Sequence, residues 1–218
     1  MRMGEDTYRH KGLRKQLVNL LKEKGITDQS VLDAIMEVPR HFFLDSAFDL
    51  IAYEDRAFPI GEDQTISQPY TVAYQSQLLE ISPGMTVLEI GTGSMYQATI
   101  LAEMKARVFT IERQKKLFDA TKLYLFKNKY PFLKFFYGDG FAGLPAYAPF
   151  DRVLITAAAP FIPPKLVEQL KVGGKMVIPV DEGENQRMKR LTKLADGQFQ
   201  EEHFDSFSFV PMLSGKNQ

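Results

Sequence analysis

The sequence predicts an α/β protein, a mostly parallel sheet with helices on both faces, and three observations lead to it. Strand-like apolar runs and helix-period segments alternate from Thr86 to Val180. One run, Val153-Leu154-Ile155, is apolar without alternation, as in a strand covered on both sides. Glu89-Ile90-Gly91-Thr92-Gly93 lies where a strand pattern hands over to a helix pattern, the place where ligands bind in open α/β sheets.

The elements follow in order. Leu13, Leu17, Leu20 and Leu21 give a helix over Leu13 to Lys24 that Gly25 stops. Thr27 reads as the cap of a second helix, Asp28 to Val38, ended by Pro39; together the two form a helical N-terminal cap. Phe42 to Gln68 has no period and is expected to be irregular, and such a segment in a compact domain is more often functional than idle. Pro69 suits the first turn of the next helix, which carries Val72, Tyr74, Leu78 and Leu79. Beyond the turn Ser82-Pro83-Gly84 come strand Thr86 to Ile90, helix Tyr96 to Lys105, strand Arg107 to Ile111 and helix Gln114 to Lys127. Strands Leu133 to Tyr137 and Asp151 to Thr156, helix Pro164 to Leu170 and strand Lys175 to Val180 complete the sheet core. Asp196-Gly197 between Met188 to Leu194 and Phe199 to Phe209 signals an antiparallel hairpin.

At 218 residues the chain is expected to be a single domain, with cap and substrate loop over 1–68, ligand-binding core over 69–180 and antiparallel strands over 181–218. Lys plus Arg and Asp plus Glu both number 27, so the excess positive charge that nucleic acids and membranes attract is absent. The lack of cysteine excludes disulfides, thiolate nucleophiles and cysteine-based metal sites. His10, His41 and His203 stand in no metal-binding spacing, so no metal is expected. No apolar run approaches the ~18 residues of a membrane span, and charges interrupt the first 25 residues, which predicts a cytoplasmic protein.

Three strand ends carry the ligand argument. Gly91 and Gly93 allow close backbone approach, although a tight turn without a ligand has the same pattern. Glu112 lies 21 residues beyond Gly91, near the ~20 that brings a carboxylate to a ribose diol, although an exposed glutamate at a helix start is the plainer alternative. Gly138-Asp139-Gly140 offers an acceptor for an adenine amino group, or an ordinary turn. The third glycine of a dinucleotide fingerprint is replaced by Tyr96, which argues against a pyrophosphate and for S-adenosylmethionine, whose sulfonium Glu89 is expected to face.

These residues resemble the protein-L-isoaspartate O-methyltransferases, a branch of the Rossmann-like S-adenosylmethionine-dependent methyltransferases. The likeness rests on Ala52-Tyr53-Glu54-Asp55-Arg56, Pro59-Ile60-Gly61, Gln64-Thr65-Ile66-Ser67-Gln68-Pro69, Val87 through Ser94, Ala148-Pro149-Phe150-Asp151, Thr156-Ala157-Ala158-Ala159-Pro160 and Gly173-Gly174. The loop around Gly91 points to the superfamily, and the Thr-Ile-Ser-Gln-Pro segment upstream of it narrows this to the branch.

The resemblance implies methylation of the free carboxylate of L-isoaspartyl residues, and less well D-aspartyl residues, in damaged proteins and peptides, the first step of repair. S-adenosylhomocysteine is the implied product, and no obligate partner is expected. By the same resemblance Ser67 takes the catalytic role. Gln64 and Thr65, then Glu89, Gly91, Thr92, Gly93 and Ser94, then Tyr96 and Gln97 are expected around the cofactor. Glu112, Arg113, Asp139, Gly140, Thr156, Ala157 and Ala158 complete that set, and Ile66, Gln68, Phe209 and Val210 are expected at the substrate. Candidate walls for an extended peptide are the loop Ala52 to Ser67 and the segment Phe207 to Met212, though Phe207 and Phe209 also fit a core position. Glu54-Asp55-Arg56 reads equally as a local ion pair.

One departure stands out: Met95 occupies a position where the family usually has glycine. A positive φ there makes methionine costly, by about 1 kcal/mol or more, whereas a first helical position tolerates it. Histidine scarcity is no obstacle to the implied reaction, because a carboxyl group with a pKa of about 3.5 is ionised at neutral pH and needs no general base. A carboxyl methyltransferase with another acceptor and a noncatalytic binder of adenosyl ligands remain the alternatives; hydride transfer with NAD fits least.

Overall fold

The computed structural model describes residues 5–183 and 185–217. Helix α1 (Tyr8–Glu23) begins at a reciprocal cap, the Thr7 hydroxyl accepting the His10 amide and the His10 ring accepting the Thr7 amide. Asp28, not the expected Thr27, caps α2 (Gln29–Glu37) by accepting the Ser30 amide at 2.9 Å, where its charge also meets the positive helix end. Short 3₁₀ turns at Arg40–Phe43 and Ser46–Phe48 follow.

The segment expected to be irregular contains an antiparallel hairpin of β1 (Phe58–Gly61) and β2 (Gln64–Ile66), turned by Glu62 and Asp63 at φ 52° and 55°. Helix α3 (Pro69–Leu79) starts with proline at its first position as expected, and burial extends round several of its sides. Then come β3 (Thr86–Ile90), α4 (Tyr96–Glu103), β4 (Arg107–Glu112), α5 (Lys115–Ala120), β5 (Lys134–Tyr137), β6 (Phe150–Ile155), α6 (Pro164–Glu168), β7 (Leu170–Asp181), β8 (Gln186–Lys193) and β9 (Phe199–Phe207).

The seven-stranded sheet has the order β5-β4-β3-β6-β7-β8-β9, parallel through β7 and antiparallel for β8 and β9. Along β3, Val87 faces the core beneath α3 and α4, while Leu88 and Ile90 face the opposite core with Leu166 of α6. The sheet is thus buried on both faces, the Rossmann-like arrangement the sequence predicts. Chain order reverses at β3, which has β4 on one side and β6 on the other, and this opens a crevice at its carboxyl end.

Two predicted lengths change. Helix α5 stops at Ala120 rather than Lys127, because the following chain turns to bury Tyr124, bonded to Thr99 Oγ1 at 2.7 Å, and Tyr130, which donates to Glu103 at 2.6 Å. Strand β7 starts at Leu170, its register slipping where it pairs with β6 near Gly173 and Gly174.

The N-terminal cap is tied down by polar groups. The rings of His10 and His41 stack 3.9 Å apart, His10 Nε2 meets Asp49 at 3.0 Å, and His41 Nδ1 meets the Tyr53 hydroxyl at 2.7 Å. Asp6 lies close to both rings, and Arg14 donates to both of its carboxylate oxygens. Among the described residues, no helix is long and apolar enough to cross a membrane.

Candidate active site

At the carboxyl end of β3 the chain turns tightly against its neighbours. Gly91 adopts φ 101°, and its amide donates to the Ile111 carbonyl at 3.0 Å. A Cβ on Gly91 would lie 2.4 Å from Thr156 Oγ1, which donates to the carbonyls of Ile90 and Gly91 at 2.9 and 3.0 Å. On Gly140 a Cβ would lie 2.5 Å from Ile90 Cγ2. The floor is therefore pressed flat by neighbours that leave no room for side chains.

Above it lies a cleft of about 860 Å³, including its part open to solvent. It gathers Gln64, Thr65, Ile66 and Ser67 from the hairpin end, and Gly91, Thr92, Gly93 and Ser94 from the loop after β3. Tyr96 and Gln97 from α4, Glu112 and Arg113 from the end of β4, and Gly140, Thr156, Ala157 and Val210 complete the predicted residues that meet here. A second groove shares Thr65, Ser67, Thr156 and Val210 with the cleft and adds Gln68, Phe207 and Phe209. Ser67 thus stands where the two spaces join.

Glu112 is buried at the cleft wall, accepting from the Gly93 amide at 2.9 Å and the Gln114 amide at 2.8 Å. Burial pushes its pKa up, and these backbone donors oppose the shift. Each oxygen keeps a lone pair for a further donor.

Four expectations change. Glu89 does not line the cleft: it is fully buried beneath it, and burial raises its carboxyl to about 8, so it is mainly neutral at pH 7 rather than a negative charge facing the ligand. Asp139 lies outside the lining and spends one oxygen on the Phe141 amide at 3.0 Å as the cap of a 3₁₀ turn. Ala158 is likewise behind the wall, its amide donating to the Val210 carbonyl at 2.8 Å and its carbonyl accepting from Met212 at 2.7 Å. Pro211 and Met212, expected on the peptide wall, line the cleft instead, together with Val72, Ile90, Ile111, Gln114 and Leu213. Of these additions, Ile90, Ile111 and Gln114 adjoin predicted residues in sequence, so strand ends alone were enough to find them. Pro211 and Met212 lay in a predicted segment but at a different surface, and Leu213 had no such signal.

Phe207 and Phe209 serve in both roles: Phe207 packs with Tyr70 and Tyr74, Phe209 packs with Phe207, and both face the groove. Asp55 is more than half of a local pair. Glu54 and Arg56 pair with each other at 2.9 Å, whereas Asp55 accepts from the Tyr70 amide at 2.8 Å and from Gln68 at 3.1 Å. It thereby satisfies the first turn of α3 next to Ser67.

Met95 resolves in favour of the costly alternative: it is the cap of α4 at φ 73°. Its side chain is buried and borders an apolar nook with Phe42, Phe43, Tyr124 and Phe126, while Ser94 and Tyr96 on either side line the cleft.

Apolar walls of Ile90, Ile111 and Met212 suit a purine, the Glu112 carboxylate suits a diol, and the glycine floor admits a ligand against backbone. An adenosyl compound fits the residues present. The protein-L-isoaspartate(D-aspartate) O-methyltransferase family model matches residues 12–217. The chain belongs to this family. Protein-L-isoaspartate O-methyltransferases from Cytophaga hutchinsonii and Dictyoglomus thermophilum are 56% and 45% identical to it, covering 96% and 94% of the chain and 94% and 92% of the relatives. A Plasmodium falciparum structure described as a methyltransferase of this family, in complex with S-adenosyl-L-homocysteine, matches with TM-score 0.78 at 25% identity, covering 92% of this chain and 98% of its own. Another protein-L-isoaspartate O-methyltransferase structure gives TM-score 0.82 at 28% identity, covering 91% of this chain and 65% of that one.

Proposed function

We propose that this member of the protein-L-isoaspartate O-methyltransferase family methylates the free carboxylate of isoaspartyl residues in damaged proteins. The observation that carries the reading is the position of Ser67 at the junction of the cleft and the groove. The cleft suits the methyl donor, and the groove, with the backbone of Ser206 to Val210 along it, suits an extended peptide.

S-adenosylmethionine, when bound, supplies an electrophilic methyl group on its sulfonium. The protein's own work is positioning. Glu112 accepts from a sugar diol, Gly91 and Gly140 let the ligand lie against backbone, and the apolar wall of Ile90, Ile111 and Met212 excludes water. Ser67 donates its hydroxyl hydrogen to one oxygen of the incoming carboxylate and leaves the other free to attack. The attacking oxygen is already ionised, so no side chain has to remove a proton. Alignment of this kind is worth several kcal/mol, up to about 7–11 for well-oriented groups.

A paired-peptide assay tests the reading. With labelled donor, an isoaspartyl peptide should yield base-labile methyl ester, released as methanol, and its aspartyl isomer little or none. Transfer to a small acid but not to the peptide favours another carboxyl acceptor. Binding of S-adenosylhomocysteine without any transfer favours a noncatalytic protein.

A further inference from the structure

The segment that follows β9 crosses the crevice and is tied at both banks. On the β6 side, Ala158 exchanges backbone hydrogen bonds with Val210 and Met212 at 2.8 and 2.7 Å. On the β4 side, Asn217 donates its amide to the Arg113 carbonyl at 2.9 Å, and its carbonyl accepts from the Lys115 amide and the Tyr137 hydroxyl, both at 3.0 Å. Arg113 turns its guanidinium onto this segment, Nε donating to the Gly215 carbonyl at 3.0 Å and a terminal nitrogen to Ser214 at 3.4 Å. Between the two ties, Pro211, Met212 and Leu213 face the cleft.

We infer that residues 210–217 form a strap that retains the adenosyl ligand, and that Arg113 is a positioning residue that tethers the strap rather than a ligand of the cofactor. The inference rests on the proposed function only for the identity of the ligand. Apolar side chains held over the cleft from both ends cover a bound nucleoside, so opening one tie speeds its release. The β4 tie involves exposed groups, so it is the end that opens.

The test follows release of S-adenosylhomocysteine by stopped flow from the full-length protein. Two variants loosen the β4 tie, Arg113→Met and Tyr137→Phe, the second removing the hydroxyl that donates to the Asn217 carbonyl; Tyr137 does not line the cleft. Both should release ligand about tenfold faster and bind it correspondingly more weakly, with the melting temperature of the ligand-free protein unchanged. A nitroxide on Ser214→Cys, the sole thiol in a chain without cysteine, should lose mobility when ligand binds. Faster release from Arg113→Met alone would make Arg113 a direct ligand and overturn the tether. Unchanged release in both variants, with a strap the nitroxide shows to be loosened, would overturn the strap and leave the function standing. Failure of the unaltered protein to bind the ligand would overturn the strap and the function together.

Discussion

Arg40 donates to the main-chain carbonyl of Ser67 at 2.8 Å from a fully buried position. The same guanidinium donates to the Ala52 carbonyl at 3.0 Å and lies over the Tyr96 ring, 4.9 Å from its centre. One side chain thereby fixes the serine relative to the helix that borders the cleft. Burial lowers its pKa to about 10, so it stays charged at neutral pH. Arg40→Lys cannot reach all of these acceptors, and stability should fall by about 2–4 kcal/mol in urea titrations. In the folded fraction, kcat should drop more than affinity for the methyl donor.

Ser67 itself is held through its backbone, so its hydroxyl is free for substrate. Ser67→Ala should leave the urea midpoint unchanged and lower kcat/KM for an isoaspartyl peptide by roughly 10- to 100-fold, the worth of one hydrogen bond to a charged group. Activity equal to the parent's would remove the hydroxyl from the mechanism.

Glu89 ties stability to alkaline pH. Burial pushes its folded carboxyl up to about 8 from the ordinary 4.5, so between these values the folded state holds a proton that the unfolded state releases. Stability must fall as pH rises through that window. Glu89→Gln removes the titration, so the variant's advantage over the parent should grow from pH 5 to pH 8.5 by on the order of 2–4 kcal/mol. Urea unfolding at both pH values checks this, and a constant difference would contradict it.

The N-terminal cap behaves in the opposite sense. His41 is lowered to about 4, first by burial and then by the neighbouring His10, with Asp49 and Asp6 opposing. Below its ordinary value of 6.5 the unfolded state takes up the proton first, so stability drops as pH falls from 6.5 towards 4. His41→Gln should flatten that decline by up to about 3 kcal/mol, measured by unfolding at pH 7 and pH 4.5.

Met95 separates strain from binding. Met95→Gly relieves about 1 kcal/mol of left-handed backbone strain but empties a buried site among Phe42, Phe43 and Tyr124. The loss outweighs the relief, so the variant should be less stable by about 1–3 kcal/mol. Because the side chain points into the nook, calorimetric affinity for S-adenosylhomocysteine should stay within twofold of the parent's.

The parallel core and its crevice were legible because strand ends, glycines and one well-spaced glutamate are local signals. What escaped were features set by distant contacts. The β1–β2 hairpin turns through Glu62 and Asp63 with neither Asn-Gly nor Asp-Gly between its strands, so the segment carried no short hairpin signature. Glu89 is acidic in sequence, yet its neutrality follows from burial that no residue pattern records. The stacking of His10 on His41, 31 positions apart, depends on how α1 docks. Pro211 to Leu213 close the cleft only because β8 and β9 carry the chain back across the sheet.

That return path bears on biosynthesis. The glycine floor, Glu112 and Ser67 all leave the ribosome well before Pro211 to Leu213, which follow every strand of the sheet. The nucleoside cleft therefore gains its last wall only once the segment beyond β9 has been made, after every other part of its lining has been synthesised.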